Sequence, residues 1–386
     1  MRLVVISHKP CWPSAASPTG FASDGGFPLQ MGALADLFAE TLLCLPCGSP
    51  CARAGELPLA GPRLRVQPLP ALPPGRLRRR LATPFWLLRA LPSLLRAVRR
   101  ADAVHAPIPG DIGTIGLLLA LLFRKPLFVR YCGNWMRPPR TVAERFWRWF
   151  MERYAGRRNV MLATGGADGP ASRRNPAVGW IFSTSLSEEE MSACGARRRT
   201  SRTDAPALIT LGRMEEGKGA GTALDAFALF ARLRPGASLH MVGDGSALPA
   251  LRERAERLGV AGRTRFHGRV DHARVLALLR ESDLLLHPTA SEGFPKAVLE
   301  ALACGLPVVT TPVSVLPSLL AGGAGRLVDE PTPERLAEAA EACLRDDAVY
   351  GAMSARARAT AGRYTLERWR DAIGGRLAEA WGRSLR

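Results

Sequence analysis

The feature that most constrains this chain is an alternation. Short runs rich in Val, Ile and Leu recur along all 386 residues, each followed by a longer amphipathic stretch. In the first half the runs are LVVIS (3–7), TLLCL (41–45), AVHA (103–106), PLFVRY (126–131) and NVMLAT (159–164). Helical stretches fall between them, near 28–40, 84–100, 111–123 and 140–156. The second half repeats the scheme with strands at 207–212, 238–245, 263–268, 283–289, 307–311 and 326–329. Its helices are expected near 219–232, 246–258, 271–281, 295–304, 314–320 and 332–346. Strands joined through helices pair in parallel, so the pattern predicts an α/β chain of two tandem doubly wound Rossmann-like domains facing a cleft. We expect an N-terminal domain over 1–185, a polar linker over 186–204, a second domain over 205–362 and a C-terminal helix over 363–386 packing back towards the first domain.

Composition narrows the class. Apolar residues make up 47% of the chain, enough for two cores, and the 38 Gly and 31 Pro show no period. The longest apolar run, Ile115 to Phe123, is far shorter than the ~20 residues that cross a bilayer and reads as a buried core helix. Eight cysteines are scattered, and the cluster Cys44, Cys47 and Cys51 has no fourth ligand nearby, so buried or incidental thiols are expected. LVVIS is followed at once by His8-Lys9 and does not read as a secretory leader, so a cytoplasmic protein with reduced thiols is expected.

The net charge of +19 is lopsided. Residues 1–200 hold 28 Lys and Arg against 12 Asp and Glu, a balance of +16, which leaves +3 for the remainder. Such a field attracts phosphorylated substrates, anionic lipid or nucleic acid. Arg-rich codon usage would account for the count but poorly for the asymmetry.

In doubly wound sheets, ligands bind beyond the carboxyl ends of the strands. There the sequence reads GRMEEGKG (212–219), whose Gly212, Gly217 and Gly219 let the backbone approach a ligand, with Arg213 and Lys218 adding charge. The spacing is not that of a Walker loop, and two solvated cations would look the same. VGDG (242–245) ends the next strand, with Gly243 and Asp244 at a tight turn. SEGFPKAVLE (291–300) places Glu292 before a helix that begins at Pro295 and Glu300 inside it. Five residues past Pro295 is about 7.5 Å along the axis, so the carboxylates are too far apart for a retaining-hydrolase pair. They could bracket an extended ligand such as a nucleotide sugar. Alone, they could equally be a helix-dipole Glu and an ordinary helical one.

Taken in order, G-R-x4-K-G, V-G-D-G and S-E-G-F-P-x4-E-A-x-A-C-G-L-P-V-V resemble the retaining GT-B glycosyltransferases of glycosyltransferase family 4, the glycosyl transferases group 1. The resemblance is strong over residues 205–345. It implies transfer of a sugar from a nucleoside diphosphate with retention, to a polysaccharide or lipid-linked acceptor, with no cofactor and no metal. It implies that Arg213 and Lys218 hold the diphosphate, that Glu292 acts at the donor sugar with Gly293, Phe294 and Pro295 beside it, and that Glu300 binds the ribose with Gly212, Gly219, Gly243 and Asp244 around the nucleotide. Gly25-Gly26, before a helix near Pro28, resembles the first glycine loop near the donor phosphate. On the acceptor side, His105 is placed at a strand edge, and Tyr131 and Asn134 flank Cys132-Gly133, where relatives often carry His-Gly. A lone His is more often structural than functional.

Residues 73–100 carry eight Arg with Phe85, Trp86 and several Leu, and 135–158 have the same character. Basic amphipathic helices of this kind lie on anionic membranes, so peripheral association with the inner face of the cytoplasmic membrane is expected. Alternatively their apolar faces pack on the sheet and the Arg faces are merely solvated. No nucleic-acid recognition motif appears, which disfavours a basic nucleic-acid-binding protein. A degenerate GT-B protein that holds nucleotide sugar without turnover is the nearer alternative.

Overall fold

A computed structural model describes residues 1–49, 56–73, 75–166, 169–196, 205–382 and 384–385. The chain divides into two units, Met1–Ser185 with Leu366–Arg386, and Leu186–Thr365.

The first unit is built on a seven-stranded parallel sheet. Its spatial order is Val178–Ile181, Asn159–Thr164, Leu127–Tyr131, Ala103–Ile108, Arg2–Ile6, Glu40–Pro46 and Leu64–Leu69. The first strand is central, and the order reverses beside it, as double winding requires. Side chains alternate across a strand, and Arg2–Ile6 shows the consequence. Leu3 and Val5 enter one core with Met31, Phe38, Trp369 and Ile373. Val4 and Ile6 enter the other with Trp86, Leu94, Ile112 and Phe150. The helix Leu366–Trp381 therefore belongs to the first unit, with Trp369, Ile373 and Leu377 fully buried. A small antiparallel sheet of Trp12–Pro13, Phe21–Asp24 and Glu56–Pro58 lies apart from the main one.

The second unit has a six-stranded parallel sheet in the order Thr264–Gly268, Ser238–Val242, Ala207–Leu211, Leu284–His287, Val308–Thr310 and Gly325–Leu327. Leu208 packs on one face with Phe227, Leu251 and Leu336, and Ile209 on the other with Leu276, Leu299 and Leu316. Both domains are thus Rossmann-like. The order reverses between Ala207–Leu211 and Leu284–His287, and the loops that leave these two strands carry GRMEEGKG and SEGFP.

Three readings change. The stretch taken as linker carries a helix, Glu188–Ala196, inside the second unit, where Cys194 is buried in the core, while 197–204 lie outside the described residues. Cys51 also lies outside them. The helix expected from 84 runs from Arg76 to Arg100 through Pro84 and Pro92. Both prolines are exposed, so the carbonyls they free can reach water. The apolar 115–123 run is not wholly buried: in the helix Asp111–Leu122, Leu118 is 52% and Leu122 70% exposed.

Candidate functional site

Three loops meet at the carboxyl edge of the second sheet. After Ala207–Leu211 the chain turns through 212–219 into the helix Ala220–Leu233. Gly219 caps that helix at φ 79°, and a Cβ there would come within 1.8 Å of the Pro288 carbonyl oxygen. Gly243, at φ 138°, would put a Cβ 1.8 Å from the Gly212 oxygen. Both close approaches need glycine. The Met214 amide donates to the Asp244 carbonyl at 3.0 Å, joining the first loop to the second.

The third loop carries the chemistry. Lys218 Nζ donates to the Ser291 carbonyl at 3.0 Å and lies 3.2 Å from Glu292 Oε1. Thr289 Oγ1 donates to the same carboxylate oxygen at 3.0 Å, and His287 Nε2 faces it at 3.6 Å. Burial alone would raise the Glu292 pKa, but the facing His287, the Lys218 charge and the Thr289 hydroxyl outweigh it and hold it at about 2. Glu292 is therefore a carboxylate at neutral pH, able only to accept hydrogen bonds. Arg213 pairs with Glu215 at 2.8 Å and is largely exposed. Gly212, Arg213, Lys218, His287, Glu292 and Pro295 line one cavity of about 230 Å³.

The remaining candidates of the second unit do not line that cavity. The helix Lys296–Ala303 starts one residue later than read, with Pro295 as its cap. Glu300 is buried in its second turn, with His272 Nδ1 3.7 Å from Oε1. The Gly293 carbonyl accepts from Ser314 Oγ at 3.1 Å, and Phe294 packs on Tyr364 with centroids 5.7 Å apart. Asp244 is exposed, its Oδ1 accepting from the Gly245 amide at 2.8 Å.

In the first unit, Gly25 takes φ 66° and Gly26 caps the helix Phe27–Ala35. His105 needs correction. It is the third residue of Ala103–Ile108 rather than an edge residue, and it is wholly buried. Its ring stacks on Phe128 at 4.1 Å, and Nδ1 lies 3.0 Å from the Phe128 carbonyl. Burial, with Arg130 nearby, lowers its pKa to about 3. It is a neutral core histidine. Tyr131 ends its strand almost buried, edge-on to Trp135, and Asn134 Oδ1 accepts from the amides of Met136 and Arg137, shaping its own loop. Sequence reasoning passed over His287 and Thr289. Their signal was position: they follow the apolar run DLLL at the carboxyl end of a strand.

Two tandem doubly wound domains, with this edge of the second one occupied by Lys, Arg and Glu, define the GT-B fold class. The Anabaena protein Alr3699/HepE, solved in complex with UDP and glucose, superposes with a TM-score of 0.69 at 17% identity, covering 98% of this chain and 99% of that one. Residues 196–360 match the family model of glycosyl transferases group 1, and residues 29–166 that of the glycosyl transferase 4-like domain. Among curated relatives, glycogen synthase of Mycobacterium tuberculosis (strain CDC 1551 / Oshkosh) is 35% identical over 125 residues, 32% of this chain and 30% of that protein. The lipopolysaccharide core biosynthesis glycosyltransferase LpsE of Rhizobium meliloti (strain 1021) is 33% identical over 171 residues, 44% of this chain and 48% of that protein. The chain thus spans 30% to 48% of the length of these relatives.

Proposed function

We propose that this protein is a retaining, metal-independent glycosyltransferase of family 4 that moves a sugar from a nucleoside diphosphate to a polysaccharide or lipid-linked acceptor. The observation that carries this reading is the Lys218–Glu292 pair on the cavity at the strand-order reversal. Lys218 and Arg213 would take the diphosphate beside the amides opening the helix Ala220–Leu233, offsetting charge on the leaving group as the glycosidic bond breaks. Two cations at this edge are the chemical reason to expect no metal requirement. Glu292, ionised and half-withdrawn from water, would accept hydrogen bonds from the sugar hydroxyls, and Glu300 from the ribose diol. In the first unit, Gly25 and Gly26 remain the candidates for the donor phosphate, and Tyr131 and Asn134 those for the acceptor.

The helix Arg76–Arg100 supports an anionic membrane as the setting. Trp86, Ala90, Leu94 and Val98 face the core, while Leu81, Phe85 and Leu88 are 69%, 73% and 72% exposed beside Arg89 and Arg96. Among the described residues no helix is long and apolar enough to cross a membrane, so association would be peripheral. The activity is tested by incubating the protein with UDP-, GDP-, ADP- and TDP-sugars and following nucleotide release with and without chelator. Release from none of them ends the reading, and dependence on a divalent ion ends its metal-independent part.

A further inference from the structure

We propose that His272 is a positioning residue for Glu300: standing between the carboxylates of Glu190 and Glu300, the imidazolium fixes the Glu300 carboxylate to receive the vicinal hydroxyls of the donor ribose. This deepens the reading of Glu300 given above and rests on it.

His272 opens the helix His272–Glu281, which Asp271 caps by accepting from the Arg274 amide at 2.7 Å. Its side chain reaches two different elements. Nδ1 lies 3.7 Å from Glu300 Oε1 on the helix Lys296–Ala303, and Nε2 lies 3.3 Å from Glu190 Oε1 on the helix Glu188–Ala196. Both are ion-pair distances. Glu190 is itself held: Ser187 Oγ accepts from the Glu190 amide at 3.1 Å, and the Ser187 amide donates to Glu190 Oε2 at 3.0 Å. That reciprocal cap commits Oε2 and leaves Oε1 towards the imidazole. A fixed carboxylate, an imidazole and a second carboxylate thus run in line from a helix start to the proposed ribose contact.

The charges make this arrangement depend on one proton. Two carboxylates within ion-pair distance of the ring favour its protonated, cationic form. The groups facing His272 from the packed elements are Glu190 and Cys194 of one helix and Glu300 of the other. Cys304 lies against Cys194, and Arg280 is the cation acting on those thiols. Glu190 raises the imidazole pKa above its usual value, burial opposes this, and Glu300 adds to the rise. The cationic form holds at and below the ordinary range of histidine and is lost as pH rises through the raised value.

The test isolates the ribose contribution. Affinities for UDP and 2′,3′-dideoxy-UDP are measured by isothermal titration from about pH 6 to about pH 9, with GDP, ADP and their dideoxy forms in parallel. The ratio within each pair cancels phosphate ionisation and reports the diol alone. For the wild-type protein we expect a preference of about tenfold for the diol near pH 6, falling as pH rises. Glu300→Ala should abolish it at every pH. His272→Gln should shrink it severalfold and flatten its pH profile, and His272→Lys should keep it at the alkaline end. A purely structural histidine would weaken both nucleotides equally and leave the ratio alone. If Glu300→Ala loses the preference while His272→Gln keeps it with the wild-type profile, the role of His272 is overturned and that of Glu300 stands. If Glu300→Ala keeps the preference, the ribose reading falls and this inference with it. Should His272→Gln not fold, a wild-type ratio that is flat across the pH range overturns the proposal by itself.

Discussion

Lys218 Nζ and Glu292 Oε1 stand 3.2 Å apart although 74 residues separate them in the chain. Parallel pairing of Ala207–Leu211 with Leu284–His287 brings their loops together. The pair is partly buried, so each charge depends on the other. Lys218→Ala should lower kcat by about 100-fold with a much smaller change in nucleotide affinity, because the cation is needed most where leaving-group charge develops. Glu292→Gln should lower kcat while leaving affinity for the free nucleoside diphosphate within about twofold. Steady-state kinetics and titration calorimetry on both variants separate these effects, and an unchanged kcat in both would remove the cavity from the reaction.

Gly219→Ala should be costly out of proportion to one methyl group. The position has φ 79°, and the new Cβ would meet the Pro288 oxygen at 1.8 Å. Either the 212–219 loop withdraws from the neighbouring strand exit or the backbone distorts, at about 1–3 kcal/mol or more. Urea unfolding should show the loss, and nucleotide affinity should fall with it. Gly217→Ala is the comparison: it also has positive φ, but a Cβ there meets nothing within 4 Å, so its cost should be smaller.

Acid should act through groups whose folded pKa lies below the unfolded value. His105 has a lowered folded pKa of about 3, so the unfolded chain takes up a proton first. Its contribution is complete above the ordinary histidine value of 6.5 and is lost as pH falls towards 3. Glu292 has a folded pKa of about 2 against 4.5, so its contribution is complete above 4.5 and is lost as pH falls towards 2. His272 runs the other way, since its pKa is raised: its contribution is present below 6.5 and fades as pH rises through the folded value. All eight tryptophans lie outside Leu186–Thr365. Tryptophan fluorescence therefore reports the first unit alone. On acidification it should show loss of first-unit stability that begins below pH 6.5 and continues towards 3. A loss that begins only below pH 4.5 would contradict the His105 assignment.

Trp369→Ala should destabilise the first unit by about 3–5 kcal/mol. The indole is fully buried beneath the sheet, with the Arg130 guanidinium 5.0 Å from its ring. Arg130 is itself nearly buried and donates to Gln30 Oε1 at 2.8 Å. Losing the ring therefore leaves both a cavity and a less shielded cation. Denaturant midpoints read by fluorescence check this, and a loss under about 1 kcal/mol would mean the C-terminal helix is peripheral to the core.

Membrane association should depend on a few side chains. Replacing Leu81, Phe85 and Leu88 together by Ser removes exposed apolar surface without touching the buried Trp86, Ala90 and Leu94. The variant should fold normally and fail to float with anionic liposomes that retain the wild-type protein at low salt. Equal flotation of the two would show that these residues do not make the contact.

Much of the architecture was legible. Doubly wound sheets follow from short apolar runs separated by amphipathic stretches, and all eleven expected strands overlap observed ones, most of them with Val, Ile and Leu buried on both faces. Strands that depart from this rule escaped notice. Leu64–Leu69 includes Gln67 and Pro68 at the edge of the sheet, and Val178–Ile181 includes Gly179 at the opposite edge. Glu188–Ala196 reads as linker because its first turn is three glutamates, while the buried Cys194 that ties it to the core gives no periodic signal.

The sequence by itself determined the class of site: glycines where loops must cross closely, two cations beside a helix start, and two carboxylates eight positions apart. It could not determine which groups share a charge. Glu292 owes its low pKa to His287, Thr289 and Lys218, and Glu300 its neighbour to His272, which in turn faces Glu190. Those encounters join residues on different strands and helices, and only sheet register and helix packing bring them within ion-pair distance. His105 shows the same limit in reverse. One position in a strand is enough to turn an apparent edge histidine into a fully buried one, because neighbours along a strand differ in depth as well as in face.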